Sequence, residues 1–420
     1  MKSTLMPPTP IRFVPDTRRR MYGETGFTLI EMLVSMGIML AVLGGVFSAF
    51  NPAQGAFQTQ PEFSDMQQRL RVGNDRLYNG LIIAGAGTYS GSAVGALGNF
   101  FAPVLPYLNG PLDGYFRTDV SGANYSTAIT IFHVPTTASQ CTIRDKMPQP
   151  SSEVKVNAEP GCPSSDPLCG FKEGMRVVIF DDTCSFDFFT ITQVQSDSLH
   201  LQHRPPINPS DFSKAYDVGA TISQINTDAY YWRQDPATNT FQLMHYDLGA
   251  VDTPLIDDVV GLRFEYLGDA TPPVLRAPVT EPIGPWTSYG PKPPALGVDV
   301  ASDSWPAGEN CTFRVDATSG TQVSRLATLG PPGSLTPLTA AQLTDGPWCP
   351  DGSNVNRYDA DLHRVRQIRV TFRVQTGVAL LRGPAGVLFS RAGVSRDASR
   401  LVPDQAVQFD VTPRNMNLGR

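Results

Sequence analysis

One acid stands inside a long apolar stretch. From Phe27 to Phe50 the chain runs 24 residues, and Glu31 is the only charged one. A carboxylate in an apolar helix costs a few kcal/mol unless it reaches water or meets a cation. Glu31 therefore either sits shallow, within reach of headgroups and water, or is held by an opposite charge. Cysteine is the next residue type with chemistry to offer. Cys141, Cys162, Cys169, Cys184, Cys311 and Cys349 all follow the apolar stretch. An even number beyond a membrane segment fits disulfides, with fifteen pairings open. Proximity along the chain favours Cys162 with Cys169 and Cys311 with Cys349, leaving Cys141 with Cys184; free buried thiols are the alternative. A metal site needs paired Cys-x-x-Cys or mixed Cys/His clusters, and the sequence has none.

The remaining candidates for chemistry do not converge. The histidines are His133, His200, His203, His245 and His363. His200 and His203 have the wrong spacing for one side of a strand and no carboxylate motif around them, so they read as core or surface residues. There is no His-Glu-x-x-His, no phosphate-binding glycine loop and no Gly-x-Ser-x-Gly turn. Asp351-Gly352-Ser353-Asn354-Val355-Asn356, followed by Asp359 and Asp361, offers oxygen ligands for calcium but lacks EF-hand spacing and reads as a polar turn. Trp232, Trp286, Trp305 and Trp348 read as core or loop anchors. The expectation is a protein that is not an enzyme, with no cofactor and no metal.

The elements that position these residues begin with a membrane segment. As a helix, Phe27–Phe50 is long enough to cross a bilayer core at about 1.5 Å per residue. Arg18, Arg19 and Arg20 precede it, and no basic residue follows until Arg69. That asymmetry keeps residues 1–26 cytoplasmic and sends the bulk of the chain across the membrane. Pro7, Pro8, Pro10 and Pro15 suit no regular structure in the leader. Met21 is an alternative start, at the cost of the arginines. Thr17–Tyr22 loosely echoes a twin-arginine signal, which Glu31 argues against. Gly37, Gly44 and Gly45 lower helix propensity, and Asn51-Pro52 predicts a kink or break. Pro61 fits the first turn of a resumed helix. Its apolar stripe is Phe63, Met66, Leu70, Asn74, Leu77, Leu81 and Ala84 at steps of three and four, with Arg69, Arg71, Asp75 and Arg76 opposite.

Gly26-Phe27-Thr28-Leu29-Ile30-Glu31 behind a basic leader resembles the class III signal of type IV prepilins and type II secretion pseudopilins. The resemblance implies cleavage between Gly26 and Phe27 by a prepilin peptidase and methylation of the new Phe27 amine. It implies that Glu31 is the acid that steers subunits into the filament, paired with a free amine on a neighbouring subunit. The stretch from Met66 to Gly87 resembles the region after the anchor in minor pilins of the PilW type. Leu255–Tyr266, Val365–Val374 and the ending Phe409–Asn415 resemble the late strands of that group and of pseudopilin J.

The net charge of −6 argues against direct nucleic-acid binding, and Gly and Pro at 37 each point to a loop-rich β domain. Residues 85–126 read as loops. Strand patterns occupy 128–134, 175–180, 186–194, 198–201, 229–233, 241–246, 259–266 and 364–374, with Asp235–Asn239 as a hairpin turn. In the last strand Arg366, Arg369 and Arg373 are expected outside, and Val365, Ile368, Val370 and Phe372 in the core. Inserts at 135–170, 268–310 and 315–360 hold most of the cysteines and read as stapled loops.

The predicted fold is α+β and pilin-like: a long hydrophobic, then amphipathic, spine helix packed on a large antiparallel β-rich domain with long loops. Its expected parts are a leader (1–26), a membrane or filament-core helix (27–50), the lower half of the spine (51–85) and an exported β domain (86–420). The resemblance implies a minor pilin that primes or caps a type IV pilus. Its partners would be prepilin peptidase, the inner-membrane assembly platform, other minor pilins and the major pilin. It would cross the inner membrane once, with the C-terminal domain in the periplasm, and then enter the pilus. The alternatives are a type II secretion pseudopilin of the J kind and a membrane-anchored exported enzyme or binding protein.

Overall fold

The computed structural model describes residues 26–88, 95–107, 127–148, 153–208, 211–235, 240–247, 252–277, 286–299, 305–382, 402 and 404–417, with 49–58, 234, 235, 240 and 380 as backbone only. The leader arginines and the hairpin turn at 236–239 lie outside these residues. The chain divides into two compact units, 1–58 and 59–420.

One helix, α1 (Leu29–Ile82), gives the first unit its described structure and opens the second. Of the kink or break predicted at Asn51-Pro52, the break does not occur, and Pro61 lies inside the helix rather than in its first turn. An internal proline removes one backbone hydrogen bond and crowds one carbonyl, at about 3 kcal/mol. Several regular turns flank each proline and carry the helix through.

In the second unit α1 buries Met66, Gly73, Leu77 and Leu81 and half-buries Leu70. The expected stripe is present with two changes. Phe63 is exposed, and Gly73 joins the buried face. A β-carbon on Gly73 would overlap Ile256 and Phe372, and one on Gly80 would overlap the Tyr230 hydroxyl. The two glycines let the helix backbone lie directly on the β structure.

Strands β1 (Val104–Leu105) and β2 (Ala128–His133) begin a five-stranded sheet. The chain then leaves for β3 (Gln140–Thr142), β4 (Glu153–Lys155), β5 (Arg176–Phe180), β6 (Phe186–Thr190), β7 (Gln193–Gln195), β8 (His200–Gln202) and β9 (Thr221–Gln224). It returns with β10 (Asn226–Asp235), β11 (Thr240–Tyr246) and β12 (Thr253–Asp257), completing the order β1-β2-β10-β11-β12. The second sheet starts with β13 (Val259–Asp269). After β14 (Phe313–Val315) and β15 (Gln322–Ser324) come β16 (Leu335–Leu338), β17 (Trp348–Cys349) and β18 (Tyr358–Asp359). Then β19 (Val365–Val374) and β20 (Gln405–Val411) give the order β16-β13-β19-β20. Neighbouring strands in both sheets are antiparallel. The fold is α+β, as the sequence predicts.

Two cores account for the strand patterns. Met66, Leu77 and Leu81 of α1 join Ile129, Tyr230, Ile256, Phe264, Val370 and Phe372 in the main core. The β3–β9 excursion builds a second around Ile143, Val154, Leu201, Tyr216 and Ile222. β5 serves both: Val178 and Phe180 face the main core, and Val177 and Ile179 the second. Burial on both faces explains its unbroken apolar run.

Three expectations are corrected here. In β19, Val365, Ile368, Val370 and Phe372 are buried as predicted and Arg369 pairs with Asp410 at the surface, but Arg366 and Arg373 are buried. Arg366 shares strand parity with Ile368 and Val370; its guanidinium lies 4.8 Å from the Tyr289 ring and donates to the His363 carbonyl at 2.7 Å. The stretch read as loop at 85–126 holds a short 3-10 turn, Leu97–Asn99, and strand β1, with Phe101, Ala102 and Val104 fully buried. The run at 198–201 is divided between a 3-10 turn, Ser196–Ser198, and β8.

Candidate functional site at the helix start

Gly26, Phe27 and Thr28 precede α1 in non-helical backbone, and Phe27 is 86% exposed. A helix start leaves its first N–H groups without partners. Here Thr28 and Glu31 supply each other. The Thr28 amide donates to Glu31 Oε2 at 2.9 Å, the Thr28 hydroxyl donates to the same oxygen at 2.8 Å, and the Glu31 amide donates to Thr28 Oγ1 at 3.3 Å. This is a reciprocal capping box, and the carboxylate stands where the helix dipole favours negative charge. The sequence carries this signal as Thr-x-x-Glu ahead of an apolar run, and the charge of Glu31 alone does not reveal it.

Leu29–Ser48 is long and apolar enough to cross a membrane, and none of it is buried within the protein. Its serines hide their hydroxyls against the helix: Ser35 Oγ donates to the Met32 carbonyl at 3.0 Å and Ser48 Oγ to the Gly45 carbonyl at 2.8 Å. That arrangement suits apolar surroundings, where a free hydroxyl is costly. β-Carbons on Gly37, Gly44 and Gly45 would meet nothing within 4 Å. This chain's own packing therefore does not require those glycines.

The cysteines form Cys162–Cys169 and Cys311–Cys349, with Cα separations of 5.7 and 5.2 Å. The remaining pairing does not form: Cys141 and Cys184 carry free, buried thiols. They belong to different cores, Cys184 to the main one and Cys141 to the second.

The other candidates serve the fold. His245 Nε2 lies 2.7 Å from Asp228 and His133 Nδ1 3.6 Å from the same carboxylate, and His200 lies 3.5 Å from Glu153. Burial holds His203 and His363 neutral, lowering them to about 4 and about 3. The Asp351 stretch is a polar turn, with Asp351 Oδ1 accepting from the Ser353 and Asn354 amides at 2.8 and 3.0 Å. Asp359 accepts from the Gly346 and Asp361 amides at 2.7 and 2.8 Å, and burial raises it to about 7. Trp232 donates to the Val259 carbonyl at 2.7 Å and stacks on Phe241. Trp305 donates to the Pro350 carbonyl. Trp286 and Trp348 carry Lys292 and Arg357 over their rings at 4.8 and 5.6 Å.

Residues 21–47 match the family model described as the prokaryotic N-terminal methylation motif. The match covers the Gly26–Phe27 bond, the capping box and most of the apolar helix. It supports a type IV pilin- or pseudopilin-type protein, and an N-terminal apolar helix with this motif, the one such helix among the described residues, fits an inner-membrane anchor. Comparisons with curated proteins and with solved structures give no match.

Proposed function

We propose that this chain is a non-catalytic minor pilin of the PilW type that primes or caps a type IV pilus. One observation carries the reading: a prepilin methylation motif opens directly onto an apolar helix with a single acid in its first turn. Prepilin peptidase cuts between Gly26 and Phe27 and methylates the Phe27 amine. The helix waits in the inner membrane with the β domain in the periplasm. It then moves into the filament core, guided by the assembly platform. There Glu31 pairs with the amine of a neighbouring subunit, and Gly37, Gly44 and Gly45 allow close approach of neighbouring helices. Other minor pilins and the major pilin are the partners. A terminal position suits the large excursions between β2 and β10 and between β13 and β19, which would crowd a repeating lattice.

Two substitutions separate the uses of Glu31. Glu31→Gln retains an acceptor for the Thr28 amide and removes the charge; Glu31→Ala removes both. Both variants should insert in the membrane and fail to enter sheared pili on immunoblot. Incorporation of Glu31→Ala at the wild-type level would refute the assembly role, and incorporation of Glu31→Gln alone would transfer it from charge to capping. Secretion genes rather than pilus genes beside this one would favour the rival reading, a pseudopilin of the J kind.

A further inference from the structure

Cys184 does not sit apart from the disulfides. Its sulfur lies 3.6 Å from Cys311 Sγ. The sulfurs of Cys184, Cys311 and Cys349 all fall within 4.8 Å of one another, and all three residues are fully buried. The turn between β5 and β6 aims Cys184 there. Asp181 Oδ1 accepts from the Thr183 amide at 2.9 Å, and Lys214 Nζ bridges Asp181 Oδ2 and Thr183 Oγ1 at 2.7 and 2.9 Å. Cys184 follows at φ 68°, a left-handed conformation that side chains other than glycine rarely adopt. A polar clamp thus holds a strained residue with its thiol against a disulfide.

We propose that Cys311 has two competent partners, and that Cys184 is an internal nucleophile able to take it from Cys349. In the exchange, Cys184 loses its proton to solvent and its thiolate attacks Cys311 Sγ. The Cys311–Cys349 bond breaks, and Cys349 leaves as a thiolate and takes up a proton. No electrons are gained or lost. The crosslink then spans 127 residues rather than 38. It ties the β5–β6 turn to the β13–β19 excursion and frees the strand that carries Cys349. In the folded protein the exchange is arrested, because burial, with Asp181 and Asp182 nearby, pushes the Cys184 thiol well up. The choice of partner is open while the chain folds and whenever this region opens.

The test is disulfide mapping of the full chain extracted from membranes, with free thiols alkylated and peptides analysed without reduction. In Cys349→Ser no bond is present to exchange, so the oxidising export compartment has to take two electrons and two protons from the Cys184 and Cys311 thiols. With the oxidant that closes Cys162–Cys169 present, Cys184 should join Cys311. If Cys184 and Cys311 are both alkylated while Cys162–Cys169 is intact, the proposal fails. A second measurement does not depend on that variant folding. The wild-type chain is held in sub-denaturing urea at about pH 9, above the ordinary thiol value, without added thiol or oxidant. A Cys184–Cys311 peptide should accumulate in step with alkylation of Cys349. Cys141, a buried thiol in the other core, is the internal control. If Cys349 stays protected, or Cys141 enters crosslinks as often as Cys184, the proximity confers no exchange and the proposal is overturned.

Discussion

Glu31 has a use before any partner arrives, since its carboxylate closes the first turn of α1 on Thr28. The capping box starts the helix at Leu29 and leaves Gly26 and Phe27 exposed in non-helical backbone, the form the proposed cleavage between them requires. Other polar side chains are buried with less return. Neither ring nitrogen of His203 has a hydrogen-bond partner, and the ring lies 5.3 Å from Phe189 and 4.4 Å from Phe212. Burial lowers its folded-state value from 6.5 to about 4. The unfolded chain takes up this proton as pH falls through 6.5, and the folded chain only near 4. The neutral ring's contribution is therefore present above pH 6.5 and lost as pH falls toward 4, by an amount on the order of 3 kcal/mol. His203→Leu removes the orphaned nitrogens at similar volume. It should raise stability at neutral pH by about 1 kcal/mol and narrow the Tm difference between pH 7 and pH 4.5. An unchanged difference by thermal denaturation would mean that His203 is not the titrating group.

Elements with strong local patterns were readable from the chain. The stripe of Met66, Leu77 and Leu81 marks the helical face, and β10 and β11 pair in register from Ala229↔Tyr246 to Asp235↔Thr240, as the flanking apolar runs imply. What could not be read depends on contacts distant in sequence. Gly73 reads as a weak helix residue until Ile256 and Phe372 are seen against it. Arg366 reads as a surface charge by residue type, although alternation places it with Ile368 and Val370; Arg373 has the parity of Arg369 at the surface, and alternation gives no sign of its burial at the strand end. Val104 and Leu105 form an edge strand too short to carry a period. The helix runs through Pro52 because its length outweighs a local breaker. Gly73→Val should destabilise the second unit by about 2 kcal/mol, since its β-carbon would overlap Ile256 and Phe372 and force them to shift. Gly44→Ala should leave that unit's denaturation midpoint unchanged, because nothing lies within 4 Å of the added carbon. Equal effects of the two in urea denaturation would contradict the packing described for α1.

At the scale of the molecule, a modest scaffold carries large additions. β2 and β10 are sheet neighbours with the whole β3–β9 lobe between them in sequence, and β13 and β19 enclose the strands from β14 to β18. Both additions enter through what would otherwise be hairpin connections, which leaves the two sheets intact against α1. Disulfides hold each one: Cys162–Cys169 within the first, Cys311–Cys349 within the second. On the proposed reading these additions face outward from a filament end, and the helix that opens at Leu29 is the part that assembles. That reading stands on how the chain begins once it is mature. Mass spectrometry of the N-terminal peptide, from cells with an active prepilin peptidase, tests it most directly. N-methyl-Phe27 as the first residue is the expected result; an uncleaved leader, or a first residue beyond Phe50, would contradict it.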